Sequence, residues 1–309
     1  KEHMSMRNSR LNKIFNENGY TINSNNFTII KENEVIKNYS TINFNNKDSH
    51  KMAKDKSLSN IIFEKNNIPV PKHVIIDDTN KYYYLYDSVP VFPCVLKPIN
   101  GMQGKDVNTF IKTIDNFRLI LENLLDNYDK VMLENQVYGD NYRIFVFNNK
   151  VIDIIKREQP FVIGDGINNI LTLINNKNEE QKKNKLYETT NLDWEYIKEQ
   201  GFNKESVLKN NKKIFITNTI NFHNGANPVR ISLNEIPDIN INMFIRAHKL
   251  IGLECSGIDY MSPDIRIPYD KNDGNIIEIN DMVDTKIHID ADNGKEPNLL
   301  FKNIYNTFV

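Results

Sequence analysis

Asn275-Ile276-Ile277-Glu278-Ile279-Asn280-Asp281, with Ser256-Gly257-Ile258-Asp259-Tyr260-Met261 shortly before it, holds side chains suited to a cation. Both stretches read as strands. Strand alternation puts Glu278 and Asn280 on one face and Ile277 and Ile279 on the other. The connection from Ser262 to Gly274 contains Pro263, Asp264, Pro268 and the run Asp270 to Gly274, which predicts an antiparallel hairpin with Asp259 beside Glu278. Two carboxylates at cross-strand distance repel unless a cation lies between them, and an Asp, Glu and Asn oxygen set suits a hard ion such as Mg²⁺. A solvated hairpin face with scattered acids is the alternative that these residues leave open.

Upstream, Pro98 to Asp106 is a loop with Gly101 and Gly104, flanked by Lys97 and Lys105. Glycines let backbone amides approach phosphate oxygens, and the lysines add positive charge. This is not a Walker loop, because Asp106 stands where Ser or Thr is needed and a strand follows. A tight glycine hairpin fits those residues equally well. Arg143 and Arg157 are the arginines of a stretch that otherwise uses lysine. They suit bidentate anion contacts, and a structural ion pair suits them as well.

The elements that must position these groups are short. Expected helices cover Leu11 to Asn18, Asp48 to Asn66, Asp115 to Asn127, Asn168 to Asn178 and Ile239 to Ile251. Expected strands cover Phe27 to Ile30, Glu34 to Tyr39, His73 to Ile76, Val91 to Lys97, Val107 to Ile111, Val131 to Glu134 and Ile214 to Ile220. A hairpin joins Tyr142 to Phe147 and Lys150 to Arg157 across Asn148-Asn149. Lys56, inside the second helix, reads on its own as a solvated surface lysine. Helices covering one side of antiparallel sheets make an α+β chain and exclude a simple doubly wound fold.

At 309 residues the chain is one elaborated unit or two to three packed subdomains. A net charge of -1, from 39 basic and 40 acidic residues, gives no case for nucleic acid or an anionic membrane as partner. No apolar run approaches a membrane span and the N-terminus has no apolar signal core, so a cytoplasmic protein is expected. Lys1 to Met4 are set aside as an expression scar. Cys94 and Cys255 sit in apolar runs without metal-ligand spacing, and are expected as buried free thiols.

Taken in order, Ala53-Lys54-Asp55-Lys56, Ile68-Pro69-Val70-Pro71, Val95-Leu96-Lys97-Pro98 with the loop through Lys105, Glu134, Gly139 to Arg143, Arg157, Val162 to Gly166, Gly257-Ile258-Asp259 and Glu278-Ile279-Asn280 with His288 resemble the ATP-grasp ligases. The resemblance is to the grasp modules of cyanophycin synthetase and of the bifunctional glutathione-forming enzyme, here expected as a stand-alone module. It implies an ATP-grasp fold: two α/β subdomains with antiparallel sheets clamping ATP. A reduced N-terminal region over 1–72 would precede a small lid over 73–138 and a large subdomain with the metal and substrate site over 139–309.

The same resemblance implies ATP and Mg²⁺ as cofactors and an amide or peptide bond formed through an acyl phosphate. Lys56 and Lys97 would hold phosphates under the loop of Gly101, Gln103 and Gly104. Glu134 and the backbone through Val137 would meet the adenine, with Asn141 near the ribose. Asp259, Glu278 and Asn280 would hold Mg²⁺, and Arg143, Arg157 and Lys97 would serve the transferring phosphate. A glutathione-synthetase-like ligase and a non-catalytic nucleotide-binding partner module are the competing expectations. Amino-acid or peptide substrates are implied, and homo-oligomerisation is left open. The chain departs from the family at His223, Asn224 and Gly225, at Arg230 where an acid is usual, and at Asp281 to Asp284. With His288, these are the expected substrate contacts.

Overall fold

The structure, a computed structural model, describes residues 16–17, 19–23, 28–31, 34–38, 45–101, 105–183, 188–189, 191–217, 220, 225–281, 287–288 and 291. Of the helix expected over Leu11 to Asn18, residues 16 and 17 are described and helical; the rest lies outside the described residues. Strands β1 (Tyr20–Asn23), β2 (Thr28–Lys31) and β3 (Glu34–Asn38) form an antiparallel three-stranded sheet.

The single helix expected over Asp48 to Asn66 is two, α1 (Lys47–Lys54) and α2 (Lys56–Lys65). Asp55 breaks it. Its backbone is extended, at φ -88° and ψ 95°, and its carboxylate accepts from the amides of Ser57 and Leu58, so it caps α2. An apolar periodicity that runs through both helices hides this break, because a capping Asp also occurs as an ordinary exposed residue within helices.

Next come β4 (His73–Ile76), β5 (Cys94–Pro98), β6 (Asn108–Ile111), α3 (Ile114–Asn127) and β7 (Val131–Asn135). Their antiparallel sheet has the order β4-β7-β5-β6. Phe117, Leu121 and Leu124 recur at helical spacing on α3 and bury against Leu96, Ile111 and Leu133 of the sheet. Strand β5 begins at Cys94 rather than Val91, which is 71 % exposed and precedes Pro93, a residue with no amide to donate.

The hairpin of β8 (Asp140–Phe147) and β9 (Lys150–Glu158) turns through Asn148 and Asn149 at φ 47° and 59°, the left-handed pair that a two-residue hairpin favours. Strand β10 (Phe161–Ile163), α4 (Ile170–Lys183), α5 (Trp194–Glu199) and β11 (Lys213–Phe215) then share a small core of their own, with Ile170, Ile174, Ile197 and Ile214. Strand β11 stops at Phe215, short of the expected end at Ile220. The chain continues through β12 (Asn227–Ile231), α6 (Asp238–Ile251), β13 (Cys255–Ser262) and β14 (Asn275–Asn280). These complete a five-stranded antiparallel sheet of order β12-β9-β8-β13-β14.

Helices α2 and α6 cover one face of that sheet. Phe63, Met243, Phe244 and Ile251 pack there with Ile144, Ile154, Ile258 and Ile279, and Ala53 and Ile68 belong to the same core. This packing crosses the boundary at residue 72 drawn from the sequence. Both cysteines are buried free thiols. No helix among the described residues is long and apolar enough to cross a membrane.

Candidate active site

Register decides which charges meet. Asp259 of β13 is paired with Arg143 of β8 on one side and with Glu278 of β14 on the other. Ile144, Ile258 and Ile279 point into the helix-covered core, so alternation turns the three charged residues to the opposite face in one row. In the adjoining row Asn141 is paired with Arg157. The Arg143 Nε and Arg157 Nη2 atoms lie 3.0 and 2.8 Å from the same oxygen, Asp259 Oδ1. Arg157 Nε donates to Asn141 Oδ1 at 2.7 Å, and Asn280 Nδ2 donates to Glu278 Oε1 at 3.0 Å. Gly257 leaves room for the guanidinium: a Cβ there would stand 2.7 Å from Arg143 Nη1.

Lys56, the first residue of α2, reaches this row from a distant part of the sequence. Its Nζ donates to the Gly101 carbonyl at 2.6 Å and lies 3.5 Å from Glu278 Oε2. The break at Asp55 starts a new helix at Lys56, and the solvated reading of this lysine is thereby corrected.

Burial penalises both carboxylates, but their surroundings divide them. Burial pushes the Asp259 carboxyl up, against the pull of Arg143 and Arg157, and the neighbouring Glu278 adds to the rise. Burial opposes ionisation of Glu278 too, yet Lys56, the Asn280 amide, Lys97 and Arg143 together hold it at about 2.

On the smaller sheet, Lys97 Nζ lies 2.8 Å from Glu134 Oε2, and both residues are buried. The sequence reading gives them separate tasks; the structure pairs them. Glu134 Oε1 is buried without a hydrogen-bond partner. The Val137 carbonyl accepts from Gln136 Nε2 at 2.8 Å. Gln103 and Gly104 lie outside the described residues.

Of the expected substrate residues, Arg230 and His288 come together through a residue the sequence reading missed, Asp153. Arg230 Nε is 3.1 Å from Asp153 Oδ1, His288 Nδ1 is 3.1 Å from Asp153 Oδ2, and Arg230 Nη2 donates to the His288 carbonyl at 2.5 Å. The available signal was a lone acid inside the apolar run Val151 to Ile155. Asp281 does not join them. It stands on the opposite face of its strand from Glu278 and Asn280, is buried, and pairs with His50 of α1, while its carbonyl accepts from Asn45. The Gly225 carbonyl accepts from Gln181 at 3.2 Å, with the glycine at φ 85°. His223, Asn224 and Asp284 lie outside the described residues.

The donor set fits a hard divalent cation: two adjacent carboxylates and an amide on neighbouring strands. Among the described residues there is no cluster of three or more His, Cys, Asp and Glu side chains.

Residues 53–161 match the sequence model of the RimK-like ATP-grasp domain. The cyanophycin synthetase of Crocosphaera subtropica is 26% identical over 259 residues, which is 80% of this chain and 29% of that protein. The glutathione biosynthesis bifunctional protein GshAB of Clostridium perfringens is 24% identical over 270 residues, 82% of this chain and 34% of that protein. This chain thus spans about a third of the length of such relatives. Among solved structures, the bifunctional glutathione synthetase from Pasteurella multocida superposes with a TM-score of 0.63 at 18% identity, covering 92% of this chain and 41% of that one. The D-alanine–D-alanine ligase from Bacillus anthracis gives 0.52 at 15% identity, covering 85% and 70%. ATP-grasp ligases use ATP and Mg²⁺. The chain has the ATP-grasp fold, and its residues 53–161 match the RimK-like ATP-grasp domain.

Proposed function

We propose that this chain is an ATP-dependent carboxylate-amine ligase that activates a carboxylate as an acyl phosphate and joins it to an amine of an amino acid or peptide, in the manner of cyanophycin synthetase. The observation that carries this reading is the row of Arg143, Asp259 and Glu278, with Arg157 and Lys56 closing on it from two sides. Three cations around two adjacent carboxylates suit an anion bridged through a metal. Asp259, Glu278 and Asn280 would hold Mg²⁺, whose contribution when bound is to neutralise charge on the phosphate oxygens.

Lys56, already fixed to the Gly101 carbonyl, and Lys97 would bind phosphate, with residues 73–138 acting as a lid over the large sheet. Glu134 Oε1, buried and without a partner, has a lone pair for a nucleotide donor, beside the backbone through Val137. The Asn141 amide would face a ribose hydroxyl. Arg143 and Arg157 would stabilise the transferring phosphoryl group or the activated carboxylate, since such transfer needs mainly positioning and charge neutralisation. Arg230 and His288, oriented by Asp153, would face the organic substrate.

The test is a reaction of the protein with ATP, Mg²⁺ and a pool of amino acids and dipeptides, followed by mass spectrometry. A product lighter by one water than its two substrates, formed with ADP, is expected. A stable phosphorylated substrate in place of an amide would make the chain a phosphotransferase. Undiminished turnover in excess chelator would remove the metal assignment.

A further inference from the structure

A cavity of about 560 Å³ opens between the edge strand β12, the end of β9, β10 and α4. Glu158 and its register partner Asn227 alternate away from Arg157, so this space is apart from the carboxylate row. Val162, Leu173 and Pro228 give it apolar walls, and Lys177, Glu158 and Glu180 supply its charges.

These charges form no close ion pair with one another. Lys177 Nζ donates to Asn227 Oδ1 at 3.0 Å and stands 5.1 Å from the centre of the Phe161 ring, whose other close cation is Lys213 at 3.7 Å. Among the described residues, no carboxylate lies within the 4.0 Å ion-pair distance of Lys177, and no cation within that distance of Glu158 or Glu180. Burial lowers the Lys177 amine to about 8, with Glu180 and Glu158 opposing the fall and Lys213 assisting it. Lys177 and Glu158 are half-buried, and Glu180 stands exposed at the rim. Charges of both signs, none with a close ion-pair partner, around an apolar-walled cavity of ligand size are complementary to a molecule that carries both charges and an apolar body.

We propose that this cavity binds a free α-amino acid with an apolar side chain, its carboxylate on Lys177 and the amide groups of Asn176 and Asn227, its ammonium between Glu158 and Glu180. The site is independent of nucleotide, and it adds a second place where an amino acid meets this protein.

Calorimetric titration of the whole chain with L-leucine, without ATP, tests it. Saturable binding is expected at pH 7, weakened at least tenfold for L-leucinamide, which lacks the carboxylate, and for N-acetyl-L-leucine, which lacks the ammonium. Lys177→Met and Glu180→Gln should each abolish it. Glu180 is exposed, so its substitution leaves the fold intact if Lys177→Met does not. Because the amine loses its proton near 8, affinity should fall roughly tenfold between pH 7 and pH 9. The proposal is overturned if the two derivatives bind as well as L-leucine. It is equally overturned if neither L-leucine, L-methionine nor L-phenylalanine binds at about 10 mM.

Discussion

On the four-stranded sheet one cation meets one acid: Lys97 and Glu134 balance each other in a buried pair. On the five-stranded sheet two guanidinium groups converge on a single oxygen of Asp259, Glu278 stands beside it, and Lys56 approaches from α2. The first arrangement balances one charge against one, while Glu134 Oε1 is left without a hydrogen-bond partner. In the second, the cations outnumber the carboxylates while those carboxylates crowd each other. An excess of positive charge around a carboxylate pair is what the proposed anion and metal together would use, and the contrast with the one-to-one pair is the ground of that proposal.

The largest effect should come from the five-stranded sheet. Asp259→Asn and Glu278→Gln are each expected to lower ATP turnover by about 10³-fold, measured as ADP release, with a lower thermal midpoint for Asp259→Asn, which leaves Arg143 and Arg157 without their shared carboxylate oxygen. Equal turnover in these variants would break the comparison. At the Lys97–Glu134 pair a loss of stability should accompany the loss of turnover. Lys97→Met leaves Glu134 buried and uncompensated, a loss of about 3–5 kcal/mol in urea unfolding. Adding Glu134→Leu should recover most of it.

Acid sharpens the contrast through the back of the larger sheet, where His248 of α6 shares a 2.7 Å hydrogen bond with Ser256. Burial lowers this imidazole to about 4 from 6.5. The folded state therefore favours the neutral ring, and its stabilising effect is complete above pH 6.5 and is lost as the pH falls towards 4. About 3 kcal/mol should disappear over that window, and His248→Gln should flatten the dependence. The smallest change is Gly257→Ala, which pushes Arg143 aside with little effect on the core. A fall in kcat of roughly tenfold is expected.

Much of the larger sheet was legible because strand alternation is local: Ile277 and Ile279 around Glu278, and the turn-rich stretch before it, suffice to place Asp259 opposite Glu278. The hairpin at Asn148-Asn149 was legible for the same reason. Positions that depend on long-range packing were not. The periodicity around Asp55 is continuous across the break, so nothing nearby shows that Lys56 faces the site. Asp281 reads as one more acid beside the metal ligands, and its pairing with His50 follows only from α1 packing behind β14. Asp153 needed the reverse inference, from an acid out of place in an apolar run to a buried cluster with Arg230 and His288.

Asn45 is buried and ties the amides of Glu254 and Cys255 and the carbonyls of Cys255 and Asp281 to a point up to 236 residues earlier in the chain. Closing so long a loop is slow and contributes nothing until both ends are present. On the ribosome, the row of Asp259 and Glu278 cannot acquire Lys56 until β14 has emerged, so a nascent chain holds its lysine and its carboxylates apart until that strand is in place.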